Sequence, residues 1–415
     1  MKDICVLILA AGYSSRFWPL KDKHFVNFLG KPLIYYSISQ LSRLGFTDLV
    51  IVVNKNNKSQ FTNFKEEFLN TSFTFVEQGE INGMAGAVIS AAKYISGKRL
   101  LIIGPADVYE DTLFDSFSKM IKTHPDGILA GTTVDKYFPG GYLTVNNGRV
   151  IKITEKPKPD AVPSNIVNFV FDYIENTSLF LDTLAATSSK KDNNYEEAIA
   201  YLLARGMNFR YLPYKGYWGY LKYPWHVLSV SSFFLEKLNG KKVKKAEIAD
   251  TAVIDGNVVI EDNVKIMENV KINGPSYIGY GTVVGQNCLI RESMIGSNCV
   301  VGYSTEIARS HIGNNCWFHH NYVGDSVIAN NVSMGAGAVT ANFRFDEKSI
   351  SSVVKNKKID TGKVKLGAII ADSARIGVNA SIMPGIKIGE KSIVGPAVLL
   401  DNDLPDGKFC MFDKK

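Results

Sequence analysis

The sequence IADTAVIDGNVVIEDNVKIMENVKINGPSYIGYGTVVGQNCLI, residues 248–290, places an aliphatic side chain at every sixth position. A repeat of six matches neither the 3.6-residue turn of a helix nor the two-residue alternation of a strand. It suits a coil of three short, flat faces, each of which turns one aliphatic side chain inward. The positions in this register are Ile248, Ile254, Ile260, Ile266, Ile272, Ile278, Val284 and Ile290.

The same register extends to residue 400. It continues with shortened steps, stops at a polar insertion over residues 342–364, and resumes beyond it. The pattern predicts a left-handed parallel β-helix of hexapeptide repeats over residues 247–415. Because such coils cannot bury their faces alone, we also expect a homotrimer. The register continues at Ile295, Ile312 and Val323 before the insertion, and at Ile370, Ile376, Ile382, Ile388, Val394 and Leu400 after it.

Composition places the chain among ordinary globular proteins. Its 415 residues are enough for two domains, and 46% hydrophobic with 21% charged residues excludes disordered and collagen-like classes. The net charge of +7 is spread along the chain without a run of five or more basic residues. This distribution favours small phosphorylated substrates over nucleic acid. No stretch approaches the length of a membrane span, so we expect no membrane partner.

The five cysteines are odd in number and show no CxxC spacing. Most of them lie within the aliphatic repeat, where a reduced thiol acts as a small hydrophobic side chain. We therefore expect a reducing, cytoplasmic compartment and no structural metal.

The N-terminal part begins with a continuous aliphatic run, Ile4–Leu9, that predicts a buried strand. The small residues that follow allow backbone N–H groups to approach a phosphate closely. Arg16 and Lys23 supply positive charge a few residues later. A plain turn between a strand and a helix would have a similar composition, so this loop alone does not decide the function.

Predicted strands and helices then alternate, which indicates an α/β domain with a mixed, mostly parallel, Rossmann-like sheet. In such sheets ligands bind at the carboxyl ends of the strands. We predict a domain over residues 1–238, a polar linker over 239–246, and the β-helix beyond it. The predicted strands are 49–53, 73–76 and 100–103, and the predicted helices are 33–44, 84–95 and 227–238.

The run LAAGYSSR at residues 9–16, followed by Lys23 and by Gly30-Lys31-Pro32, resembles the signature of sugar-1-phosphate nucleotidylyltransferases. The resemblance implies transfer of a nucleotidyl group from a nucleoside triphosphate to a sugar 1-phosphate, with Mg²⁺. Two residues depart from the signature: Ser14 replaces a usual glycine, and Asp22 replaces a usual proline. Under this resemblance Ala10, Ala11 and Gly12 bind the nucleotide, and Arg16 and Lys23 are catalytic.

The run QGEINGMAGA, residues 78–87, resembles the loop with which this family reads the nucleotide base. Gln78 stands where a side chain hydrogen-bonds the edge of a pyrimidine, and Gly83 is expected to contact the nucleotide, so UTP is the favoured substrate. The segment beginning at Glu80 also resembles the guanine-reading loop of guanylyltransferases. The base therefore stays open.

Asp107, which follows the predicted strand 100–103, matches the family's acidic magnesium ligand. A carboxylate at that place suits a hard cation that bridges nucleotide phosphates, although a solvated turn would also contain an aspartate. The resemblance further assigns the sugar phosphate to Gly141, Glu155, Lys156 and Asn168.

Three residues depart from the family near these sites. Tyr220 stands where relatives have an aspartate as the second magnesium ligand, and Lys222 stands where a glycine is usual. Lys222 either replaces the charge of a cation or covers a surface. Phe169 replaces a glycine found in some relatives beside the sugar.

The β-helix contains a second group of polar residues, beginning at His319. Together with Tyr322, Asn342 and Lys348, it resembles the acetyltransferase half of the bifunctional glucosamine-1-phosphate N-acetyltransferase and UDP-N-acetylglucosamine pyrophosphorylase family, in particular its archaeal-type members. An amine that attacks the thioester of acetyl-CoA must lose a proton, and a histidine with a pKa near ~6.5 accepts one at neutral pH.

The resemblance implies a role for each residue of this second site. His319 is the base, Tyr322 and Lys348 hold the amino sugar and its phosphate, and Asn342 fixes the amine. The backbone of the small-residue turn 335–338 faces the acyl group or the pantetheine arm. Glu306 is expected to orient His319, whereas His311 and His320 are read as polar face residues. The residues expected to meet the phosphates of coenzyme A are Lys355 to Lys358, Lys363, Lys365 and Arg375.

Two other functions are compatible with the sequence. One is a nucleotidylyltransferase whose β-helix serves only to assemble a trimer. The other is a non-catalytic regulatory subunit that binds nucleotide sugars.

Overall fold

The computed structural model describes residues 1–79, 83–188 and 193–411. The chain forms two compact units. One unit comprises Met1–Tyr13 with Ile34–Gly219, and the other comprises Ser14–Leu33 with Tyr220–Lys415. This division follows packing and differs from the expected functional domains, 1–238 and 247–415, which remain a prediction.

The elements outside the β-helix are mostly short. The 3₁₀ turns are Lys23–Phe25, Asn63–Glu67 and Ile121–Thr123. The α-helices are α1 (Leu33–Arg43), α2 (Lys58–Thr62), α3 (Gly83–Ser90), α4 (Ala92–Ile95), α5 (Asp111–Met120), α6 (Thr177–Ala186), α7 (Asn194–Ala204) and α8 (His226–Glu236). The strands are β1 (Ile4–Leu9), β2 (Asn27–Phe28), β3 (Lys31–Pro32), β4 (Asp48–Val53), β5 (Ser72–Glu77), β6 (Arg99–Ile103), β7 (Asp107–Tyr109), β8 (Gly127–Thr133), β9 (Gly141–Asn146), β10 (Arg149–Glu155), β11 (Ile166–Ile174), β12 (Phe209–Pro213) and β13 (Trp218–Tyr220).

The first unit is built on a nine-stranded mixed sheet with the order β5-β4-β1-β6-β11-β8-β12-β10-β9. Strands β5, β4, β1 and β6 are parallel, and so are β8 and β12. Strands with continuous aliphatic runs lie in the centre of this sheet because both of its faces are covered. Leu7, Val50 and Ile102 are accordingly inaccessible to solvent.

The predicted strands and helices of this unit are confirmed, with two differences. Antiparallel pairs join β9, β10 and β11 to the sheet, so parallel pairing is less dominant than the sequence indicated. The predicted helix 84–95 is interrupted at Ala91, between α3 and α4. At the interruption the Ala91 N–H is shared between the carbonyls of Ala87 and Val88, a bifurcated pattern typical of a helix end.

The second unit contains a parallel β-helix whose strands stack in three sheets, which we call the first, second and third face. The first face comprises Lys242–Val243, Val258–Ile260, Ser276–Ile278, Met294–Ile295, His311–Ile312, Val327–Ile328, Ile369–Ile370 and Lys387–Ile388. The second face comprises Glu247–Ile248, Lys265–Ile266, Val283–Val284, Val300–Val301, Trp317–Phe318, Ser333–Met334, Arg375–Ile376, Ile393–Val394 and Phe409–Cys410. The third face comprises Val253–Asp255, Lys271–Asn273, Leu289–Arg291, Glu306–Ala308, Tyr322–Gly324, Val339–Thr340, Ser381–Ile382 and Leu399–Leu400.

The six-residue register predicted the inward positions of these strands. On the first face Ile278, Ile295, Ile312 and Ile328 pair in sequence from coil to coil. Each of them is at most 1% exposed. The first strand, Lys242–Val243, lies within the expected linker 239–246 and pairs with Val259 and Ile260. This strand belongs to the first face, and the expected domain boundary at residue 247 stays a prediction.

Asparagines at the corners of the coils explain how the chain turns so sharply. Asn263, Asn298, Asn315 and Asn331 have φ between 54° and 59°. Asparagine adopts this left-handed conformation at lower cost than most other residues. Each precedes the inward residue by three positions, so the corner recurs with the register.

The interruption at residues 342–364 folds as an antiparallel hairpin of Ile350–Val354 and Lys357–Lys363. The coils on either side of it remain stacked, because Ile328 pairs directly with Ile370. The hairpin is therefore an insertion into one coil and leaves the β-helix continuous.

Helix α8 covers part of the first face. Ser231 Oγ lies 2.8 Å from Nδ1 of His311, which is 4% exposed. Burial lowers the pKa of His311 to about 4. His311 is therefore a neutral packing residue between the helix and the coil, rather than a polar residue of an open face.

The five cysteines all lie in the described part of the chain and none forms a disulfide. Four are buried, and burial raises the pKa of the Cys5 thiol to about 12. Within residues 1–79, 83–188 and 193–411, no helix has both the length and the apolarity to cross a membrane.

Candidate functional site

The loop after β1 is held by two buried asparagines. Asn54 Nδ2 donates to the carbonyl of Ala11 at 3.0 Å, and Asn57 Nδ2 donates to the carbonyl of Ala10 at 2.9 Å. A side chain at Gly12 would meet open space. The carbonyls of Ala10 and Ala11 thus point to these two side chains. The part of the loop at Gly12 is exposed and accessible to a ligand. Sequence reasoning missed Asn54 and Asn57, although an Asn-x-x-Asn segment after a buried strand is a signal for such a turn.

The expected base-reading loop begins after β5. Gln78 Nε2 donates to the carbonyl of Gly83 at 3.2 Å, so the two predicted nucleotide contacts are adjacent. The N–H of Gly79 donates to Ser90 Oγ of α3 at 3.0 Å. Glu80, with Ile81 and Asn82, lies outside the described residues, and the choice between uracil and guanine stays a prediction.

Arg16 and Lys23 lie on the segment 14–33, which belongs to the unit of the β-helix. Arg16 is exposed, and Lys23 is half-buried at the start of the 3₁₀ turn Lys23–Phe25. Ala10, Ala11 and Gly12 belong to the other unit.

Asp107 is the first residue of β7 and is half-buried. Its Oδ1 accepts a hydrogen bond of 3.3 Å from the indole of Trp218. A Cβ at Gly104 would lie 1.8 Å from Asp107 Oδ2, so a larger residue there would displace this carboxylate. In the described residues, no three His, Cys, Asp or Glu side chains form a group that could hold a metal. A single carboxylate such as Asp107 suits a cation that takes its other ligands from water and phosphate, as Mg²⁺ does.

Tyr220, where a second acidic ligand was expected from the resemblance, has an aromatic environment. Its ring meets the ring of His226 edge-on, with 4.8 Å between centroids. His226 Nδ1 accepts from the N–H of Lys222 at 3.3 Å. Burial, followed by the charges of Lys363 and Lys222, lowers the pKa of His226 to about 3. The histidine is neutral at pH 7, and positive charge surrounds it.

A cavity of about 150 Å³ lies at the end of β10. Glu155 and Lys156 form an ion pair at its wall, and a Cβ at Gly141 would lie 3.4 Å from Glu155 Oε2. Gly141, Glu155 and Lys156, three expected sugar-phosphate residues, are therefore brought together. The residues that line the cavity are Gly83, Met84, Ala85, Glu155, Lys156, Asn193, Asn194, Tyr195 and Glu196.

Asn168 belongs to a buried polar network that sequence reasoning missed. Asn168 Nδ2 donates to the Ala130 carbonyl at 2.9 Å and to Asp172 Oδ1 at 3.0 Å. The Tyr195 hydroxyl donates to Asp172 Oδ2 at 2.8 Å. The Asn168 amide nitrogen is thus committed to the protein, and its contact with a sugar stays a prediction.

Two carboxyl groups in this region are strongly shifted. Burial raises the pKa of Asp172 to about 7, against the effect of the hydrogen bonds from Asn168 and Tyr195. Burial, and then the charge of Glu155, raises the pKa of Glu196 to about 7. A substantial fraction of each group is protonated at neutral pH. No sequence motif signals these shifts, because they depend on what packs around the side chains.

On the β-helix, the turn that carries His319 stacks on the turn 335–338 of the next coil. The N–H of His319 donates to Asn321 Oδ1 at 2.6 Å. Asn321 Nδ2 donates to the carbonyls of Gly335 at 2.8 Å and Ala338 at 2.9 Å. The buried amide of Asn321 therefore joins the two turns, while the His319 side chain remains exposed to solvent.

Tyr322 and Asn342 meet beside this pair of turns. Asn342 Nδ2 donates to the Tyr322 hydroxyl at 3.2 Å and to Asp325 Oδ2. Arg309 binds Asp325 through two hydrogen bonds of 2.8 Å. This chain of contacts orients the Asn342 amide, which leaves its carbonyl oxygen for a ligand. Asp325 and Arg309 were not identified from the sequence.

Other expected residues of this site have different surroundings. Glu306 was expected to orient His319. Its carboxylate instead pairs with Arg291, and the described residues show no hydrogen bond between Glu306 and His319. The strands that carry Glu306 and Arg291 are neighbours on the third face, which explains why the two side chains pair. Lys348 is exposed, and its N–H donates to Asp346 at 3.4 Å.

The cations expected to bind coenzyme A do not all face solvent. Lys363 Nζ donates to Ser229 Oγ at 3.3 Å, and burial lowers its pKa. Arg375 is exposed, and its Nη1 donates to the carbonyls of Asn331 and Ala374. Lys355, Lys357, Lys358 and Lys365 are exposed on or beside the hairpin.

The fold and these sites define a nucleotidyltransferase domain joined to a β-helix of the acyltransferase kind. The sequence profile described as nucleotidyl transferase matches residues 5–220, and the profile described as GMPPB C-terminal domain matches residues 241–360. A bifunctional sugar-1-phosphate nucleotidylyltransferase/acetyltransferase of Sulfurisphaera tokodaii is 32% identical, covering 97% of this chain and 98% of its own. A bifunctional protein GlmU of Methanocaldococcus jannaschii is 30% identical, covering 97% and 96%.

The chain thus belongs to the nucleotidyl transferase family and, within it, to the bifunctional sugar-1-phosphate nucleotidylyltransferase/acetyltransferase group of enzymes. A crystal structure of apo UDP-glucose pyrophosphorylase is similar at a TM-score of 0.51 and 19% identity, covering 56% of this chain and 99% of its own. That likeness concerns the fold alone.

The buried carboxyl of Asp172 makes stability depend on pH. Its pKa is about 7 when folded and 3.8 ordinarily, so the unfolded chain loses this proton first as the pH rises. Stability therefore falls between about pH 4 and pH 7. Asparagine does not titrate. Between pH 5 and pH 8 we therefore expect the free energy of unfolding to fall less in Asp172→Asn than in the unmodified protein, by on the order of 2 kcal/mol. Glu196 still titrates in that variant and retains a slope of the same sign.

Denaturant unfolding at both pH values measures this difference. Asp115→Asn, at an exposed carboxylate of α5, is the control and should reproduce the unmodified slope. Equal slopes in the Asp172→Asn variant and the unmodified protein would contradict the assignment.

Proposed function

We propose that this protein is a bifunctional transferase acting on sugar 1-phosphates. The β-helix transfers an acetyl group from acetyl-CoA to an amino-sugar 1-phosphate, and the N-terminal domain transfers a nucleotidyl group, with UTP favoured, to a sugar 1-phosphate. The observation that carries the proposal is the buried Asn321 amide, which joins the His319 turn to the 335–338 turn beside Tyr322 and Asn342. The names of the Sulfurisphaera and Methanocaldococcus relatives support both halves.

Acetyl transfer requires three groups at one place. His319 accepts the proton that the attacking amine loses as the new C–N bond forms and the thioester C–S bond breaks, and the departing thiolate takes this proton from His319 to give the coenzyme A thiol. The Asn342 carbonyl oxygen receives a hydrogen bond from the amine, since its own nitrogen is committed to Tyr322 and Asp325. The backbone N–H of Ala336 stabilises negative charge on the acyl oxygen, because the N–H groups of Gly335, Gly337 and Ala338 in the same turn donate to carbonyls of the protein. Tyr322 and Lys348 hold the sugar and its phosphate.

Nucleotidyl transfer depends on positive charge. An oxygen of the sugar phosphate attacks the α-phosphorus and pyrophosphate leaves, so anion approaches anion. Arg16 and Lys23 neutralise phosphate charge, Asp107 binds Mg²⁺, and the N–H groups near Gly12 meet the nucleotide. Gly141, Glu155, Lys156 and Asn168 bind the sugar phosphate. A bound Mg²⁺, held by Asp107, would neutralise charge that develops on the phosphates.

Further properties belong to this proposal. The β-helix is left-handed and assembles a homotrimer, the domains are 1–238 and 247–415, and the protein works in the cytoplasm. The exposed lysines beside the hairpin, with Arg375, meet the phosphates of coenzyme A. Neither nucleic acid nor a membrane is a partner.

The direct test supplies glucosamine 1-phosphate, acetyl-CoA and each nucleoside triphosphate with Mg²⁺. We expect both a coenzyme A thiol and pyrophosphate, measured separately in the same mixture. Pyrophosphate without thiol would indicate a nucleotidylyltransferase with a scaffold β-helix. Neither product, together with retained binding of a nucleotide sugar, would indicate a regulatory subunit.

Replacement of His319 by alanine tests the base. We expect thiol release to fall by about 10²- to 10⁴-fold, the range typical for loss of a general base, with pyrophosphate release unchanged. The matched control is His320→Asn, because His320 is a neighbouring exposed histidine with φ of 52°, a conformation that asparagine tolerates. Undiminished thiol release in His319→Ala, or equal losses in both variants, would remove His319 from this role.

Restoring a carboxylate at Tyr220 tests the proposed nucleotidyl transfer. A single protein carboxylate still binds a hydrated Mg²⁺ with the help of nucleotide phosphates, so we expect weak turnover and a raised magnesium requirement. Tyr220→Asp should increase pyrophosphate release in the presence of Mg²⁺. Tyr220→Asn, which adds no charge, is the control. A lower rate in Tyr220→Asp than in the unmodified protein would mean that the second ligand lies elsewhere.

A further inference from the structure

The segment 14–33, which carries Arg16 and Lys23, packs along the first face of the β-helix. Phe28 lies against His311, with 5.2 Å between ring centroids, and the N–H of Leu29 donates to Met294 Sδ at 3.2 Å. A Cβ at Gly30, which has φ of +81°, would lie 2.7 Å from the Tyr277 hydroxyl. Glycine is therefore favoured at position 30 for two reasons: the positive φ of the turn and the close approach of Tyr277 from the β-helix.

These contacts follow the register of the coils. Tyr277 pairs with Met294, and Met294 pairs with His311, on consecutive strands of the first face. Residues 30, 29 and 28 thus each contact one coil in turn. We call this set of contacts the upper anchor. It sets the position of the segment after Lys23.

A second set of contacts, the lower anchor, holds the segment on the last coils. The Trp18 indole donates to Asp406 Oδ1 at 3.1 Å, and Lys21 forms an ion pair with Glu390. The ammonium of Lys387 lies 5.4 Å from the centroid of the Trp18 indole. Glu390 and Asp406 are themselves joined, because the Glu390 N–H donates to Asp406 Oδ1 at 2.9 Å.

Lys387 is a rigid support for the indole. It is 1% exposed, and its ammonium donates to Ser352 Oγ at 3.0 Å and to the Val353 carbonyl at 2.6 Å. It also pairs with Asp403. Because its ammonium has these three partners, Lys387 is held in position, and the Trp18 ring packs against it there.

The expected catalytic cations stand next to the lower anchor in sequence. Arg16 precedes Trp18 by two residues, and Lys23 follows Lys21 by two. We propose that the last coils of the β-helix position Arg16 and Lys23 for nucleotidyl transfer, with Glu390 and Asp406 as positioning residues acting through Lys21 and Trp18. This inference rests on the proposed nucleotidyl activity and adds a dependence of that activity on the far end of the chain.

The lower anchor affects position more than stability. Lys21 is 62% exposed and Glu390 is 23% exposed, and ion pairs of this kind contribute little to folding. A cation displaced by about 1 Å, in contrast, costs a large part of the rate. The signature of a positioning role is therefore a lower kcat for pyrophosphate release with unchanged KM, unchanged melting temperature and unchanged acetyl transfer.

The test compares Glu390→Gln combined with Trp18→Phe against Glu261→Gln. Trp18→Phe removes the indole N–H and keeps an aromatic ring. Glu261 is a matched control, because it forms an ion pair with Lys244 on the β-helix. Glu261 is 19% exposed and Lys244 is 51% exposed, which is close to the exposure of Glu390 and Lys21. We expect kcat for pyrophosphate release to fall about tenfold in the double variant and to stay unchanged in the control. The charge exchange Lys21→Glu with Glu390→Lys should restore most of the rate lost in Glu390→Gln.

Hydrogen exchange of the backbone amides in residues 14–28 gives a readout that needs no activity. We expect faster exchange in the double variant and no change in Glu261→Gln. Unchanged exchange in the double variant would overturn the inference whatever the rates are. Faster exchange with undiminished kcat would overturn the catalytic role of the anchor. Absence of pyrophosphate from the unmodified protein would refute the proposed nucleotidyl function, and exchange would still decide whether the last coils hold the segment.

Discussion

The stack of aliphatic side chains inside the β-helix is the interaction on which the second unit depends. Ile278, Ile295, Ile312 and Ile328 occupy equivalent positions in successive coils and are almost fully buried. Burial of one such side chain contributes about 1.5–3 kcal/mol. Because neighbouring side chains of a strand point in opposite directions, each inward residue also determines which residues face outward.

This stack brings the residues of the proposed acetyl-transfer site together. The third-face strand Tyr322–Gly324 pairs with Val339–Thr340 of the next coil, so Tyr322 and Asn342 come within 3.2 Å although twenty positions separate them. The buried Asn321 amide adds a bond between two turns of the same coils. Such a satisfied polar group gives the turns one arrangement, because an unbonded amide in that place would be costly.

Buried asparagines have a similar role in the first unit. Asn54 and Asn57 bind the carbonyls of the loop after β1, and Asn168 binds Asp172, which also accepts from Tyr195 of the cavity wall. The two proposed chemistries nevertheless differ in charge. In the proposed acetyl transfer a histidine, an amide and a backbone N–H surround the reacting amine, whereas the proposed nucleotidyl transfer relies on cations at the reacting phosphate, as phosphoryl chemistry requires. The lower anchor connects those cations to the coils at the far end of the chain.

The sequence by itself determined the coils and the alternating strands and helices of the first unit, and it nominated the residues of both expected sites, whose roles stay predictions. A period of six repeated over many coils, and continuous aliphatic runs between polar segments, are local patterns that only a few structures can satisfy. The sequence did not determine the course of segment 14–33, the pairing of Glu306 with Arg291, or the shifted pKa of Asp172. The tertiary structure decided these, because they depend on how side chains distant in sequence are oriented and how much water their packing excludes.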